Sequence, residues 1–261
     1  MDFENIIYKK GDGIAHIIVN RPDKRNALNR AARIEMVEAL EDAKNDAAVK
    51  VLILSGAGGK SFIAGSDLTE LSKYSPLEME DFMATLAQQF YTRFEQLDKP
   101  VIAMIDGLCM GGGLELAMAC DIRMASDSSK FGQPEIMLGI IPGGGGTQRL
   151  PRLIGVGRAK EMVFMGKVID AAEAYRIGLV NQVCSSAELE ETVMAAAKQL
   201  ARQSPLALKW AKRSINAGQE SGLSMGLAYE ALVECLLFTS RDHEEGIKAF
   251  FEKRKPEFTG E

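Results

Sequence analysis

The stretch that decides the fold is Val101-Ile102-Ala103-Met104-Ile105, a turn at Asp106-Gly107, and then Gly111-Gly112-Gly113-Leu114-Glu115. Five apolar residues bounded by a turn read as a strand buried on both faces, and the glycine run reads as the start of a helix. A strand that feeds a helix is the repeating unit of an α/β sheet. Glycines in a first helical turn leave backbone N–H groups without intrahelical partners and let a ligand come close, so developing negative charge can be held there. Glu115 stands three residues after Gly112, which puts its carboxylate on the same helical face as that glycine. Its plainer reading is an acid that complements the helix dipole.

Outward from this stretch the strand and helix pattern repeats. Residues 6–10 and 14–20 flank the turn Gly11-Asp12-Gly13 as a hairpin. The spacing predicts a helix over 30–45, with Ile34, Val37, Leu40 and Ala43 on one face, and a strand over 51–55. A glycine-rich loop over 56–65 leads to a helix starting near Asp67, and Ser75-Pro76 caps a longer one running towards Leu97. A third strand-helix unit begins with a strand over 121–125. From Gly144 onward the pattern is helical, broken by a short strand over 180–184, and the run Gly143-Gly144-Gly145-Gly146 reads as a flexible turn into a helix. The alternation predicts an α/β core with a helical C-terminal appendage.

Composition narrows the chemistry. The 261 residues suffice for one large domain with an appendage, and 46% hydrophobic with 26% charged residues is ordinary for a folded protein. A net charge of -5 argues against nucleic acid as a partner. No apolar run is long enough to span a bilayer, and Asp2 and Glu4 are unlike a leader, so a cytoplasmic protein is expected. Cys109, Cys120, Cys184 and Cys235 are scattered and read as reduced thiols. With His16 and His243 as the only histidines, a serine–histidine triad or a histidine metal site is poorly supplied, and catalysis falls to carboxylates and backbone. Neither Gly58-Gly59-Lys60-Ser61 nor Gly155-Val156-Gly157 completes a phosphate-binding motif.

A second acid stands in Phe131-Gly132-Gln133-Pro134-Glu135, where Pro134 fixes the backbone just before the glutamate. A solvated loop glutamate is its plainer reading. Taken with 61–68, which contains Ala64-Gly65-Ser66-Asp67-Leu68, the constellation resembles the crotonase family, the enoyl-CoA hydratases and isomerases. Further blocks carry the resemblance: Arg25-Asn26-Ala27-Leu28-Asn29, Asp106-Gly107 with 111–120, 131–139, 141–150, and the closing 251–256.

The resemblance implies a crotonase-like ββα spiral core over 1–200 and a helical C-terminal trimerisation domain over 201–261. It implies an acyl-CoA substrate whose thioester oxygen lies between the backbone N–H groups of Ser66 and Gly112. It also implies that Glu115 helps to activate water while Glu135 exchanges the proton at the α carbon. Coenzyme A is expected along Arg25, Ala27, Ala64, Asp67 and Leu68, and Gly65, Ser66, Gly111, Gly112, Pro134 and Glu135 complete the expected substrate-binding set. No metal and no cofactor beyond the substrate's own coenzyme A are expected, and the assembly implied is a homotrimer or a hexamer built as a dimer of trimers. Retention of both acids favours hydration of a 2-enoyl thioester over isomerisation of a 3-enoyl one. A noncatalytic binding module on the same fold is the reading from another class, and the acidic balance disfavours it.

Overall fold

The structure is a computed structural model that describes residues 2–261. It opens with a hairpin of β1 (Ile6–Gly11) and β2 (Ile14–Val19), with Ile6 opposite Val19. Helix α1 (Arg30–Asn45) is capped by Asn29, whose side chain accepts the N–H of Ala32, and β3 (Val51–Gly56) follows. A short β4 (Ser61–Ile63) leads to α2 (Leu68–Leu71). Helix α3 (Pro76–Phe82) starts in a capping box between Ser75 and Glu78, widens through a π turn at Met83–Ala87 and continues as α4 (Gln88–Glu95).

Next come β5 (Val101–Ile105), β6 (Leu108–Met110), α5 (Gly112–Ala119), β7 (Ile122–Ser126) and β8 (Lys130–Gly132). Helices α6 (Gly146–Ile154) and α7 (Val156–Phe164) precede β9 (Val168–Asp170), α8 (Ala171–Arg176) and β10 (Gln182–Cys184). The rest is helical: α9 (Ser186–Ala201), α10 (Pro205–Glu220), α11 (Leu223–Leu237) and α12 (Arg241–Glu252).

Two sheets form. The larger has the order β1-β2-β3-β5-β7-β10 and is parallel from β2 onward; the smaller has the order β4-β6-β8-β9 and is parallel except for its last pair. The strands expected from sequence all belong to the larger sheet. Those of the smaller one are three residues each, too short for any periodicity to announce them.

The apolar run of β3 follows from burial on both faces. Leu52 and Leu54 enter the main core, whereas Val51 and Ile53 pack with Leu189, Val193 and Ala197 of α9. Helix α5 is buried along its whole length, so it is apolar all round apart from Glu115. It lies so close to β4 that a Cβ on Gly113 would stand 2.0 Å from the carbonyl oxygen of Ile63.

The buried face of α1 differs from the expected one. It is formed by Ala32, Arg33, Met36, Ala39, Leu40 and Ala43, and Ile34 is 42% exposed. Helix α10 is tied to the core by Lys212 on Asp121 at 2.8 Å and Arg213 on Asp98 at 2.7 Å. Helix α11 buries only Val233 and leaves Leu223, Met225, Leu227, Leu232 and Leu236 at the surface.

The glycines of two helices give a paired test. Gly113→Ala is expected to lower the melting temperature sharply or to leave no soluble protein, because its methyl group meets backbone. Gly157→Ala, in α7 with nothing within 4 Å of its Cβ and an ordinary negative φ, is expected to stabilise by about 0.5–1 kcal/mol. Calorimetric melts of both variants check the close packing of α5 on β4.

Candidate active site

The N-terminus of α5 begins at Gly111, which holds φ 52°, a conformation that glycine tolerates and other residues resist. The Gly111 N–H donates to the carbonyl of Gly132 at 2.9 Å, which fixes the helix end against β8. Gly112 is the first helical residue, so its N–H has no acceptor within the helix. Among the described residues the N–H groups of Gly112 and Ser66 make no hydrogen bond to backbone. They lie close together: a Cβ on Gly112 would stand 3.6 Å from Ser66 N, and one on Gly65 would stand 3.8 Å from Gly112 N.

Ser66 is carried there by a ribbon of backbone hydrogen bonds between two loops. Ala64 N–H donates to Arg25 at 3.1 Å, Leu28 N–H to Gly65 at 2.8 Å and Asp67 N–H to Leu28 at 2.9 Å. The buried side chain of Asn26 secures the first loop, donating to the carbonyls of Ala57 and Ser61 and accepting the N–H of Arg21. The ribbon therefore gathers Arg25, Ala27, Ala64, Gly65, Ser66 and Leu68 along one edge, with Arg25 and Leu68 exposed. The carboxylate of Asp67 is otherwise engaged: it caps Thr69 and pairs with Arg21 at 3.0 Å. Its part in the edge is to hold the loop.

Glu115 is 3% exposed. Its Oε1 accepts two N–H groups, from Gly144 and Gly146, each at 2.8 Å. The glycine run that reads as a flexible turn is thus a clamp on this carboxylate. It has no room for side chains, since a Cβ on Gly144 would lie 2.6 Å from Glu115 Oε2 and 2.0 Å from the Tyr91 ring. Arg149 braces the clamp from outside, donating to the Gly144 carbonyl at 3.0 Å while paired with Glu95 of α4 at 2.7 Å. Burial raises the Glu115 pKa, and the two glycine N–H groups, Arg33 and Arg149 oppose the rise.

Glu135 follows Pro134 into a short 3-10 turn, Pro134–Leu138, that ends at Gly139 in the left-handed region. Its Oε1 would stand 3.2 Å from a Cβ on Gly111, so it faces the helix end that also presents Gly112. Its Oε2 is buried without a protein partner. Burial, and the charge of Glu115 after it, push the Glu135 pKa up to about 7. Glu135, with a buried oxygen free of protein donors, therefore lies at the helix end that presents the unpaired Gly112 amide, and Glu115, whose pKa is also raised, leaves its Oε2 without a protein donor.

Two neighbours escaped the sequence reading. Arg33 of α1 is 1% exposed; its Nη2 donates to Ser66 Oγ at 2.9 Å and to Tyr91 OH at 3.2 Å, and its Nη1 to the Leu86 carbonyl. Tyr91 of α4 is equally buried, with its OH 2.7 Å from the point where a Gly112 Cβ would lie. The available signal for Arg33 was the spacing of Ala32, Met36, Ala39, Leu40 and Ala43, which encloses it on the apolar face. Tyr91 sat unnoticed in an apolar helical stripe.

Comparison with known proteins shows the family. A family model described as Enoyl-CoA hydratase/isomerase matches residues 9–261. A protein named crotonyl-CoA hydratase from Syntrophomonas wolfei is 43% identical over 258 residues, covering 99% of each chain. One named short-chain-enoyl-CoA hydratase from Clostridium acetobutylicum is 44% identical over 259 residues, covering 98% of each. The crystal structure of an enoyl-CoA hydratase from Bacillus anthracis superposes with a TM-score of 0.96 at 40% identity, covering 99% of this chain and all of that one.

The raised pKa of Glu135 has a consequence for stability. Its carboxyl binds a proton more tightly folded than unfolded, so folding loses stability as pH rises from the ordinary value of 4.5 through about 7. The melting temperature of Glu135→Gln relative to the natural protein is expected to climb across that window and to level off above it. A difference that stays constant with pH contradicts the assignment.

Proposed function

The chain belongs to the enoyl-CoA hydratase/isomerase family, and we propose that it adds water across the 2,3 double bond of a 2-enoyl-CoA through Glu115 and Glu135. The observation that carries this reading is the pair of acids whose pKa values burial raises, together with the amide pair of Ser66 and Gly112.

Burial raises the pKa of both acids, that of Glu135 to about 7, and at Glu115 two glycine N–H donors oppose the rise. In the proposed starting state Glu135, whose buried Oε2 meets no protein donor, carries the single proton of the pair and Glu115 is ionised. Water held at the open oxygen of Glu115 gives up a proton to that carboxylate as its oxygen bonds to the β carbon. The electrons of the double bond move towards the thioester, and the enolate oxygen is held by the N–H groups of Ser66 and Gly112. Such donors contribute about 3 kcal/mol each when aimed at an oxygen that gains charge. Glu135 then gives its proton to the α carbon. The product is a 3-hydroxyacyl-CoA, with Glu115 protonated and Glu135 ionised, and one proton exchanged with solvent restores the starting pair.

The edge from Arg25 to Leu68 suits the coenzyme A portion, because it combines backbone groups with an exposed arginine for phosphate. The chemistry calls for no metal and no cofactor apart from the substrate. A homotrimer, alone or paired into a hexamer, is proposed through the apolar surface of α11 and α12, where Leu232, Phe238, Phe250 and Phe251 are exposed. No single helix among the described residues is long and apolar enough to cross a membrane, and the cytoplasm is the proposed location.

The protein is expected to consume crotonyl-CoA, followed as loss of the conjugated thioester's ultraviolet absorbance. Glu115→Gln and Glu135→Gln are each expected to lower kcat by about a hundredfold or more, with smaller changes in KM. Because Glu135 must hold its proton, kcat/KM should fall as pH rises through about 7. Full hydration rates in both variants, or conversion of a 3-enoyl-CoA alone, reject the reading.

A further inference from the structure

A guanidinium buried to 1% exposure ordinarily forms an ion pair, and Arg33 forms none among the described residues, although it lies near enough to Glu115 to oppose the rise of that acid's pKa. Three aromatic rings surround it instead, with its Cζ 5.2 Å from the centre of Phe82, 5.0 Å from Phe90 and 5.3 Å from Tyr91. Its Nε has no partner. The positive charge is thus held in place by ring faces, without an ion pair, beside Ser66 and Gly112.

Arg33 Nη2 donates to both Ser66 Oγ and Tyr91 OH, so each oxygen spends a lone pair on the guanidinium and keeps its own hydrogen. Neither hydroxyl hydrogen meets an acceptor among the described residues. Burial keeps the phenol of Tyr91 protonated, with its pKa pushed up to about 12, so it remains a donor at neutral pH. Both oxygens border Gly112, at 3.3 Å and 2.7 Å from where its Cβ would lie, the same glycine whose N–H is unpaired.

We propose that Arg33 is a positioning residue for the hydration reaction: it orients the Ser66 and Tyr91 hydroxyls as an outer tier behind the Ser66 and Gly112 amides, and it sets an unpaired positive charge behind the oxygen that becomes the enolate. The proposal rests on the hydratase reading. No proton leaves Arg33. It acts by polarising the two hydroxyls, which are charge-assisted and therefore stronger donors than free ones.

The test is Arg33→Met, an unbranched side chain that fits among the three rings. Removing a buried, unpaired cation should leave the melting temperature unchanged or raised, while kcat for crotonyl-CoA falls about tenfold to a hundredfold and KM moves less than about threefold. The diagnostic readout is the infrared stretch of a carbon-13-labelled thioester carbonyl in bound butyryl-CoA, which has no double bond to hydrate. Its shift to low frequency in the natural protein should be partly lost in Arg33→Met and partly restored in Arg33→Lys. An unchanged stretch, or kcat within twofold of the natural protein, overturns the proposal. Should Arg33→Met not fold, the double variant Ser66→Ala/Tyr91→Phe asks the same question by removing both hydroxyls, with the same loss of kcat and of carbonyl shift expected. A natural protein inert towards crotonyl-CoA defeats the hydratase reading itself, and activity with an indifferent Arg33→Met defeats only this inference.

Discussion

One carboxylate oxygen bound by two peptide N–H groups organises this molecule: Glu115 Oε1 against Gly144 and Gly146. A buried carboxylate without donors would take up a proton or drive the helix apart, and these two bonds oppose the rise in pKa that burial causes. The requirement runs outward. The loop must be glycine, because a Cβ on Gly144 collides with Tyr91 and with the carboxylate itself, and a loop so short of side chains needs bracing. Arg149 supplies the brace, and Glu95 holds Arg149 in turn. Because Glu95 and Tyr91 lie one turn apart on α4, a single helix positions both the brace and the ring that closes the clamp.

The same economy governs the charges. Glu115 and Glu135 repel each other, which contributes to the raised pKa of Glu135, while Arg33 and Arg149 pull Glu115 the other way. The site therefore gives two chemically identical side chains different surroundings, Glu115 with two N–H donors and two nearby arginines opposing its rise and Glu135 with its pKa pushed up to about 7. Each is placed by a different element, α5 for the first and the Pro134 turn for the second, so their separation is set by the packing of α5 against β8 rather than by side-chain freedom. The close approach of Gly113 to Ile63 serves the same end from the other side, since it fixes α5 against the strand that leads to Ser66.

What the sequence disclosed and what it hid follow from length scale and from company. Long elements with a period, such as α1, or continuous apolar runs, such as β3 and β5, were legible because many residues carry one signal. The four strands of the smaller sheet were not, since three residues contain no period, yet that sheet aligns Ser66, Gly112 and Glu135. The face of α1 differs from the expected one because Arg33 is buried with Ala32 and Met36, which leaves Ile34 exposed. The acids were legible through their family motifs. The role of Gly144 and Gly146 was not, because glycine marks both a flexible turn and a place where something else must fit, and only the fold says which.

The most direct test of the account is a crystal structure of the protein with butyryl-CoA bound. The account predicts the thioester oxygen within about 3 Å of both Ser66 N and Gly112 N, with the α and β carbons lying between the carboxyl groups of Glu115 and Glu135. A thioester oxygen held elsewhere, or either carboxyl group turned away from those carbons, contradicts it.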